Sequence, residues 1–434
     1  MNFLLPRWIK RYKYAGLTLL CTVVVVCVLS LTPQAAVQPE QGRRADSFVD
    51  SIGVATHLRY LDTAYGNYSG MIKLRLQELG IRHIRDGGKD PEFYKRLNDL
   101  ASVGIKSTLV MDPRDGIDPA NVVKDAVKPV LAAVEAVEGP NEWDVQPQLT
   151  YQEQSFPQGV RKYQDGLYTA LKGDAATSAL PVLMPSLAIP SNSLKLGYLH
   201  SVDMGNMHSY AGGHVPSHDL DRKWIPNTKV VSGLKKPIVA TECGWHNATG
   251  DRKASQPGIS EAASSRYVPR LYLEYFNRGI QRAFLYELIN ERQASEQEQN
   301  FGLLRYDGSP KPAFIALKNL ISLLKDPGAN FRPQSLAYTL RGNTKNVHHT
   351  LLQKRDGRFY LILWQEVPGF NLQNRKQLRV RDQQVTLTLH SAAKTATLYQ
   401  PLSSIAPVKQ YSTPGRLSLN VPDHPLVVEL VPQQ

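Results

Sequence analysis

The chain has 434 residues, 42% of them hydrophobic and 21% charged, with a formal net charge of +13. That apolar fraction excludes global disorder, and the length suits one large domain plus a small one. The charge is uneven, at +4 over residues 1–32, +1 over 33–330 and +8 over 331–434, so a basic C-terminal region follows a nearly neutral body.

At the N-terminus Arg7, Lys10, Arg11 and Lys13 precede an uncharged, mostly apolar run over residues 15–32. A basic flank followed by an apolar run is the pattern of export. Residues 1–36 therefore read as a signal peptide or an uncleaved signal anchor. The remainder is expected outside the cytoplasmic membrane, either anchored to it and facing outward or released as a secreted or periplasmic protein. Cys21 and Cys27 lie in the apolar run, and Cys243 is the one cysteine of the body, so no disulfide forms within the body. Residues 37–47 are polar and read as a linker.

Over residues 48–328, strand-like and helix-like segments alternate. Strand one is expected at 52–57 with its helix at 71–79, strand two at 81–85 with a helix at 91–101, and strand three at 106–111. Strand four, from 132, ends near Glu138, and its helix spans 159–172. Strands five and six fall at 180–184 and 202–207. Strand seven ends at Glu242 and leads to a helix at 262–277; strand eight, 283–288, leads to a last helix at 312–324. Eight such alternations predict a (β/α)8 barrel rather than a doubly wound sheet. Over 329–434 the pattern changes to short alternating runs at 336–340, 359–364, 384–389, 395–399, 417–421 and 426–430. These predict a small all-β sandwich. Its basic surplus reads as a solvated face or as attraction for an acidic polysaccharide or lipid head groups. Nucleic acid is not expected, because no matching motif accompanies the charge.

Two strand ends carry the chemistry. The first reads Glu138-Gly139-Pro140-Asn141-Glu142-Trp143, the second Thr241-Glu242-Cys243-Gly244-Trp245. Both glutamates fall at the face where barrel active sites are built. Two carboxylates across a cleft are the minimum for glycoside hydrolysis: one protonates the leaving oxygen, the other attacks the anomeric carbon. Glu142 is the candidate acid/base and Glu242 the candidate nucleophile. Asn141 is placed to hold a sugar hydroxyl. Glu138 and Glu135 are rivals for the acid role, and Asn141-Glu142 alone would equally suit a helix N-cap. His208 and Tyr210 end strand six next to Glu242, and Tyr210 is placed to donate to it. His57 and Arg85, with Asp86, end strands one and two; Tyr286 and Glu287 end strand eight. All suit a sugar-lining rim, and Trp143, Trp245 and Tyr210 suit stacking on sugar faces. No metal site is expected, since His348 and His349 are adjacent in a strand and point to opposite faces. No Walker loop, dinucleotide fingerprint or nucleophile elbow occurs, and no cofactor is expected.

Asn-Glu at the end of strand four with Glu at the end of strand seven resembles the layout of clan A glycoside hydrolases. Asn300 to Phe314 (NFGLLRYDGSPKPAF) looks like the clan's link from strand eight into the last helix. With a trailing β-sandwich, the chain is similar to glycoside hydrolase family 39 and related exopolysaccharide-active enzymes. The resemblance implies a retaining β-glycosidase acting on an extracellular oligo- or polysaccharide. A transglycosylase on the same scaffold and a non-catalytic carbohydrate-binding barrel are the alternatives. One departure stands out: where the clan often places a Trp on strand eight, this chain has Tyr286-Glu287.

Overall fold

The computed structural model describes residues 39–433. Eight parallel strands form one sheet: β1 (Ile52–Ala55), β2 (His83–Gly87), β3 (Lys106–Val110), β4 (Val134–Glu138), β5 (Val182–Leu183), β6 (Gly205–His208), β7 (Ile238–Cys243) and β8 (Arg282–Leu285). Each pairs with its neighbour in chain order, and β8 pairs with β1. The last seam, between β5 and β6, is held by a parallel bridge between Leu183 and Met204. The result is a nearly closed (β/α)8 barrel.

The strands β1 and β7 are buried along their whole length, as expected of parallel strands covered on both faces. The covering helices begin where the sequence supplies caps. Asp90 accepts the Phe93 N–H at 2.8 Å at the start of α1 (Pro91–Ser102). Helix α2 (Gln158–Gly173) follows β4, and Ser260 accepts the Ala263 N–H at 3.1 Å to open α3 (Glu261–Asn277). Helix α4 (Pro312–Leu324) starts with proline at its first position, where no intrahelical N–H is required.

Several ends differ from the sequence expectation. Strand five shrinks to two residues, because Asp203 takes the Val182 N–H on its carboxylate at 2.9 Å and so replaces part of the ladder. Strand eight stops at Leu285, and the Tyr286–Glu287 peptide that follows is cis.

Residues 37–47 are not a free linker where the structure describes them. Glu40–Gln41 pairs with Ser335–Leu336, Arg43–Arg44 adds a parallel strand to the C-terminal domain, and Ala45–Asp50 is a helix. Polar composition suggested a linker, but backbone pairing with an exposed sheet edge needs no apolar side chains. The apolar targeting segment expected at 1–36 lies outside the described residues. Among the described residues, no helix is long and apolar enough to cross a membrane.

The C-terminal domain is a sandwich. One sheet joins β9 (Tyr338–Gly342), β12 (Gln383–Leu389) and β15 (Arg416–Val421). The other runs β14 (Pro407–Ser412), β13 (Ala393–Tyr399), β16 (Leu426–Pro432), β11 (Phe359–Gln365), β10 (Val347–Gln353) and then Arg43–Arg44. Leu361, Leu363, Leu387, Leu419 and Val428 fill the space between them. The opposite face of the larger sheet packs on α3: Trp364 is fully buried and donates to Glu274 at 2.8 Å.

Candidate active site

The C-terminal mouth of the barrel opens into a cleft of about 690 Å³, within the usual range for a ligand site. Asn141, Glu142, His208, Tyr210, Glu242, Arg85, His57 and Tyr286 all line it.

Glu142 follows the β4 turn. Gly139 is required in that turn, since a Cβ there would stand 2.0 Å from the Gln164 side chain of α2. Asp112, just beyond β3, fixes the turn from the other side. Its carboxylate accepts the Asn141 N–H at 2.9 Å and the Trp143 indole N–H at 3.2 Å, while Arg114 donates to it. Glu142 itself has φ 54° and ψ 39°, a left-handed conformation that costs a non-glycine residue about 1 kcal/mol or more. Its side chain reaches His208, whose Nδ1 lies 2.6 Å from Glu142 Oε1.

Glu242 lies on the last turn of β7 and is almost wholly buried. Arg85 donates to one carboxylate oxygen at 2.5 Å and Tyr210 to the other at 2.6 Å. Burial alone would push its pKa up, but the charges of His208 and Arg85 and the Tyr210 hydroxyl outweigh it and hold the group ionised. His208 answers in kind: burial would lower it, yet Glu242 and Glu142 raise it to about 10, so it is an imidazolium at neutral pH. Carboxylate oxygens of Glu142 and Glu242 lie within 4.8 Å of each other, with His208 between them.

Beneath this pair Glu138 is completely buried. It accepts two hydrogen bonds of 2.9 Å from Arg85, one of 3.0 Å from Asn206 and one of 3.1 Å from Thr241. Burial pushes its pKa up, and Arg85 and His208 more than reverse this, to about 2. It does not line the cleft, and its four hydrogen bonds make it a support for Arg85 rather than a rival of Glu142. Glu135 lies near the other end of β4, hydrogen-bonded to His83 at 2.8 Å and paired with Arg282 at 3.0 Å. It is remote from the cleft.

Three sequence expectations are corrected. Trp143 is 2% exposed, with its indole tied to Asp112 and its ring among Val160, Met184 and Leu187. Trp245 is 5% exposed, donates to the His214 carbonyl at 3.0 Å and packs edge-on against Tyr267. Neither offers a face to a sugar, because each indole N–H finds its partner inside the protein. Glu287 does not line the cleft either: it is fully buried behind Tyr286 and accepts from Tyr65 at 3.0 Å. Burial raises its pKa well above the carboxylate range.

The aromatic faces of the cleft are instead Tyr60, Tyr210, Trp224, Tyr286 and Phe301. His57 stacks on Tyr60 with ring centroids 4.6 Å apart, and its Nε2 lies 3.2 Å from the Tyr286 hydroxyl. Asp112, Arg114, Arg59, Asp115 and Glu298 also line the cleft and were not foreseen. Asp112 had a signal: a carboxylate one residue past a predicted strand end, before Pro113. Glu298 lies in a loop with no periodic pattern and had none.

No family model matches the sequence, and no curated protein matches it. Solved structures do. A family 39 glycoside hydrolase from Bacteroides cellulosilyticus WH2 is 18% identical, with a TM-score of 0.53 over 89% of this chain and 81% of that one. A glucosidase from Croceicoccus marinus is 12% identical, with a TM-score of 0.59 over 92% of this chain and 98% of the other. The chain shares their fold. At these identities the likeness carries architecture alone, a barrel followed by a sandwich.

Proposed function

We propose that the protein is a retaining β-glycosidase in which Glu242 is the nucleophile and Glu142 the acid/base. The single observation that carries this reading is the approach of the two carboxylates within 4.8 Å across the cleft. Retaining enzymes hold theirs about 5–5.5 Å apart, whereas inverting ones leave about 6.5–9.5 Å for a water.

In the proposed cycle Glu242, kept ionised by Arg85 and oriented by Tyr210, attacks the anomeric carbon. Glu142 gives its proton to the leaving oxygen, and the Nδ1–H of His208 stabilises the carboxylate that results. Glu142 then deprotonates a water that releases the sugar from Glu242. Asn141 donates from its side-chain amide, whose oxygen is already taken by Arg85 at 2.7 Å and Ser186 at 3.2 Å. That leaves its N–H bonds free for a sugar hydroxyl. No step calls for a cofactor.

The charge in the cleft bears on the substrate. Arg59 pairs with Asp115 at 2.6 Å, Arg114 with Asp112 at 2.9 Å and Arg85 with Glu138 and Glu242. Each arginine lining the cleft is thus already neutralised, which favours a sugar without an acidic group at the reacting position. Attraction for an acidic polymer belongs to the basic sandwich. Export of the chain, inferred from its N-terminal segment, would place the substrate outside the cell.

The test is chemical rescue. Glu142→Ala acting on an aryl glycoside with a good leaving group should regain turnover with azide and yield the β-glycosyl azide. An α-azide would mean that Glu242 forms no covalent intermediate and that the mechanism is inverting.

A further inference from the structure

At the seam where β8 meets β1, three side chains converge outside the pair described above. His57 follows β1, Glu287 follows β8 and Glu291 lies in the loop after it. His57 Nε2 is 3.8 Å from Glu287 Oε2 and 3.8 Å from Glu291 Oε1, and one donor atom of each residue lies within 4.8 Å of the other two. We propose that His57, Glu287 and Glu291 form a binding site for a divalent transition ion of the zinc type.

Three observations support it. The first is the donor set, one imidazole and two carboxylates, which suits zinc; magnesium and calcium favour all-oxygen sets. Donor atoms around tetrahedral zinc stand roughly 3.4 Å apart, given bonds of about 2.1 Å. The 3.8 Å separations close to that with a small inward shift. Second, Glu287 is fully buried with its Oε2 facing His57 at 3.8 Å, and its other oxygen, Oε1, has no hydrogen-bond partner. A buried oxygen without a partner costs about 1–3 kcal/mol, and a metal bond removes that cost. Third, neither Glu287 nor Glu291 forms an ion pair with a lysine or arginine among the described residues; the one basic side chain facing both is His57. A dication would therefore have no lysine or arginine to displace from either carboxylate.

The surroundings are those of a supported site. Tyr65, itself buried, donates to Glu287 Oε2 at 3.0 Å, the oxygen nearest His57, and so fixes that carboxylate, as outer-shell partners of metal ligands do. His57 reaches the cleft and its side chain is 21% exposed, which gives an ion a way in. Three protein donors are one short of a closed structural zinc site, so a water or a substrate hydroxyl would complete the set. Glu142, His208 and Glu242 meet the same distance criterion. There, however, Arg85, Tyr210 and the charged His208 already satisfy the carboxylates, and a dication would meet a cation.

The experiment uses the full-length protein, stripped with a chelator and titrated with zinc chloride. Calorimetry gives the stoichiometry, and thermal unfolding is followed in parallel. The expected result is one zinc per chain and a rise in Tm of about 3 °C at saturation. Glu291→Gln, which keeps the side chain's size, should weaken binding at least about 100-fold, the upper range for loss of a mere outer-shell partner. His57→Asn should do the same, while Glu142→Gln should bind zinc as the parent does. Absence of stoichiometric binding would overturn the proposal. So would binding undiminished in Glu291→Gln and His57→Asn, which marks adventitious surface sites, or binding lost in Glu142→Gln alone.

Discussion

At the scale of single residues, the candidate site is a chain of charges stacked along the barrel axis. Glu138 holds Arg85, Arg85 holds Glu242, and His208 holds both Glu242 and Glu142. Removing one link leaves a buried charge unpaired, so effects should be large. Glu142→Gln should lower kcat/KM about 10²–10⁴-fold on substrates with poor leaving groups and much less where the leaving group needs no proton, while kcat falls on both because Glu142 also activates the water. Tyr210→Phe removes one donor to Glu242 and should lower kcat about 10²-fold in steady-state kinetics, with KM little changed. The left-handed backbone of Glu142 adds a stability prediction. Glu142→Gly should raise thermal stability by about 1 kcal/mol while abolishing turnover, since glycine adopts φ 54° without strain. A lower Tm for this variant would show that the His208 contact matters more to stability than the backbone does.

At the scale of elements, the turns after β3 and β4 act as one unit. Asp112 ties them through the Asn141 N–H and the Trp143 indole. Asp112→Ala should therefore loosen Glu142, lowering both Tm and kcat; a change in Tm with kcat intact would disprove the coupling. This unit also shows what the sequence made legible. Glu142 and Glu242 were readable because each is a carboxylate after an apolar run, and a buried parallel strand has that signature. His208, Tyr210, Arg85, His57, Asn141 and Tyr286 followed as polar groups at strand ends, and the structure brings all of them to one cleft. Glu287 has the same signature but is buried, because the chain leaves β8 at Leu285, three residues before the expected end. Trp143 and Trp245 illustrate a different limit. Sequence places an indole near a site, but whether its N–H is satisfied inward depends on partners such as Asp112 and the His214 carbonyl. The segment before β1 was misread because strand pairing through the backbone leaves no trace in side-chain pattern.

At the scale of the whole molecule, the barrel and sandwich share a buried polar seam. Arg270, completely buried in α3, pairs with Glu366 at 2.6 Å. Glu274 accepts from Trp364 at 2.8 Å and from His348 at 2.6 Å. Deleting residues 331–434 would take the ion-pair partner from Arg270, while Glu274 would keep only Arg278 at 2.5 Å. Such a truncation should not yield a cooperatively folding barrel by calorimetry, because it would uncover the face of α3 that Trp364 and the larger sheet now bury. The seam also predicts a pH dependence. The hydrogen bond to Glu274 raises the His348 pKa above 6.5. Its stabilising contribution is therefore complete below 6.5 and is lost as pH rises through the raised value. His348→Gln should flatten that alkaline decline in Tm. On the acid side the sign reverses. Glu138, at about 2 in the folded state against 4.5, stabilises above 4.5 and stops doing so as pH falls towards 2. Acid unfolding should start in that window.

The most direct test of the central claim is to trap the intermediate. The full-length protein would be incubated with 2-fluoro-glycosyl fluorides of several sugars, digested, and searched by mass spectrometry for a glycosylated peptide. The account predicts an adduct on Glu242, absent in Glu242→Gln, with the reactive sugar naming what the cleft accepts. An adduct on any other carboxylate would contradict it.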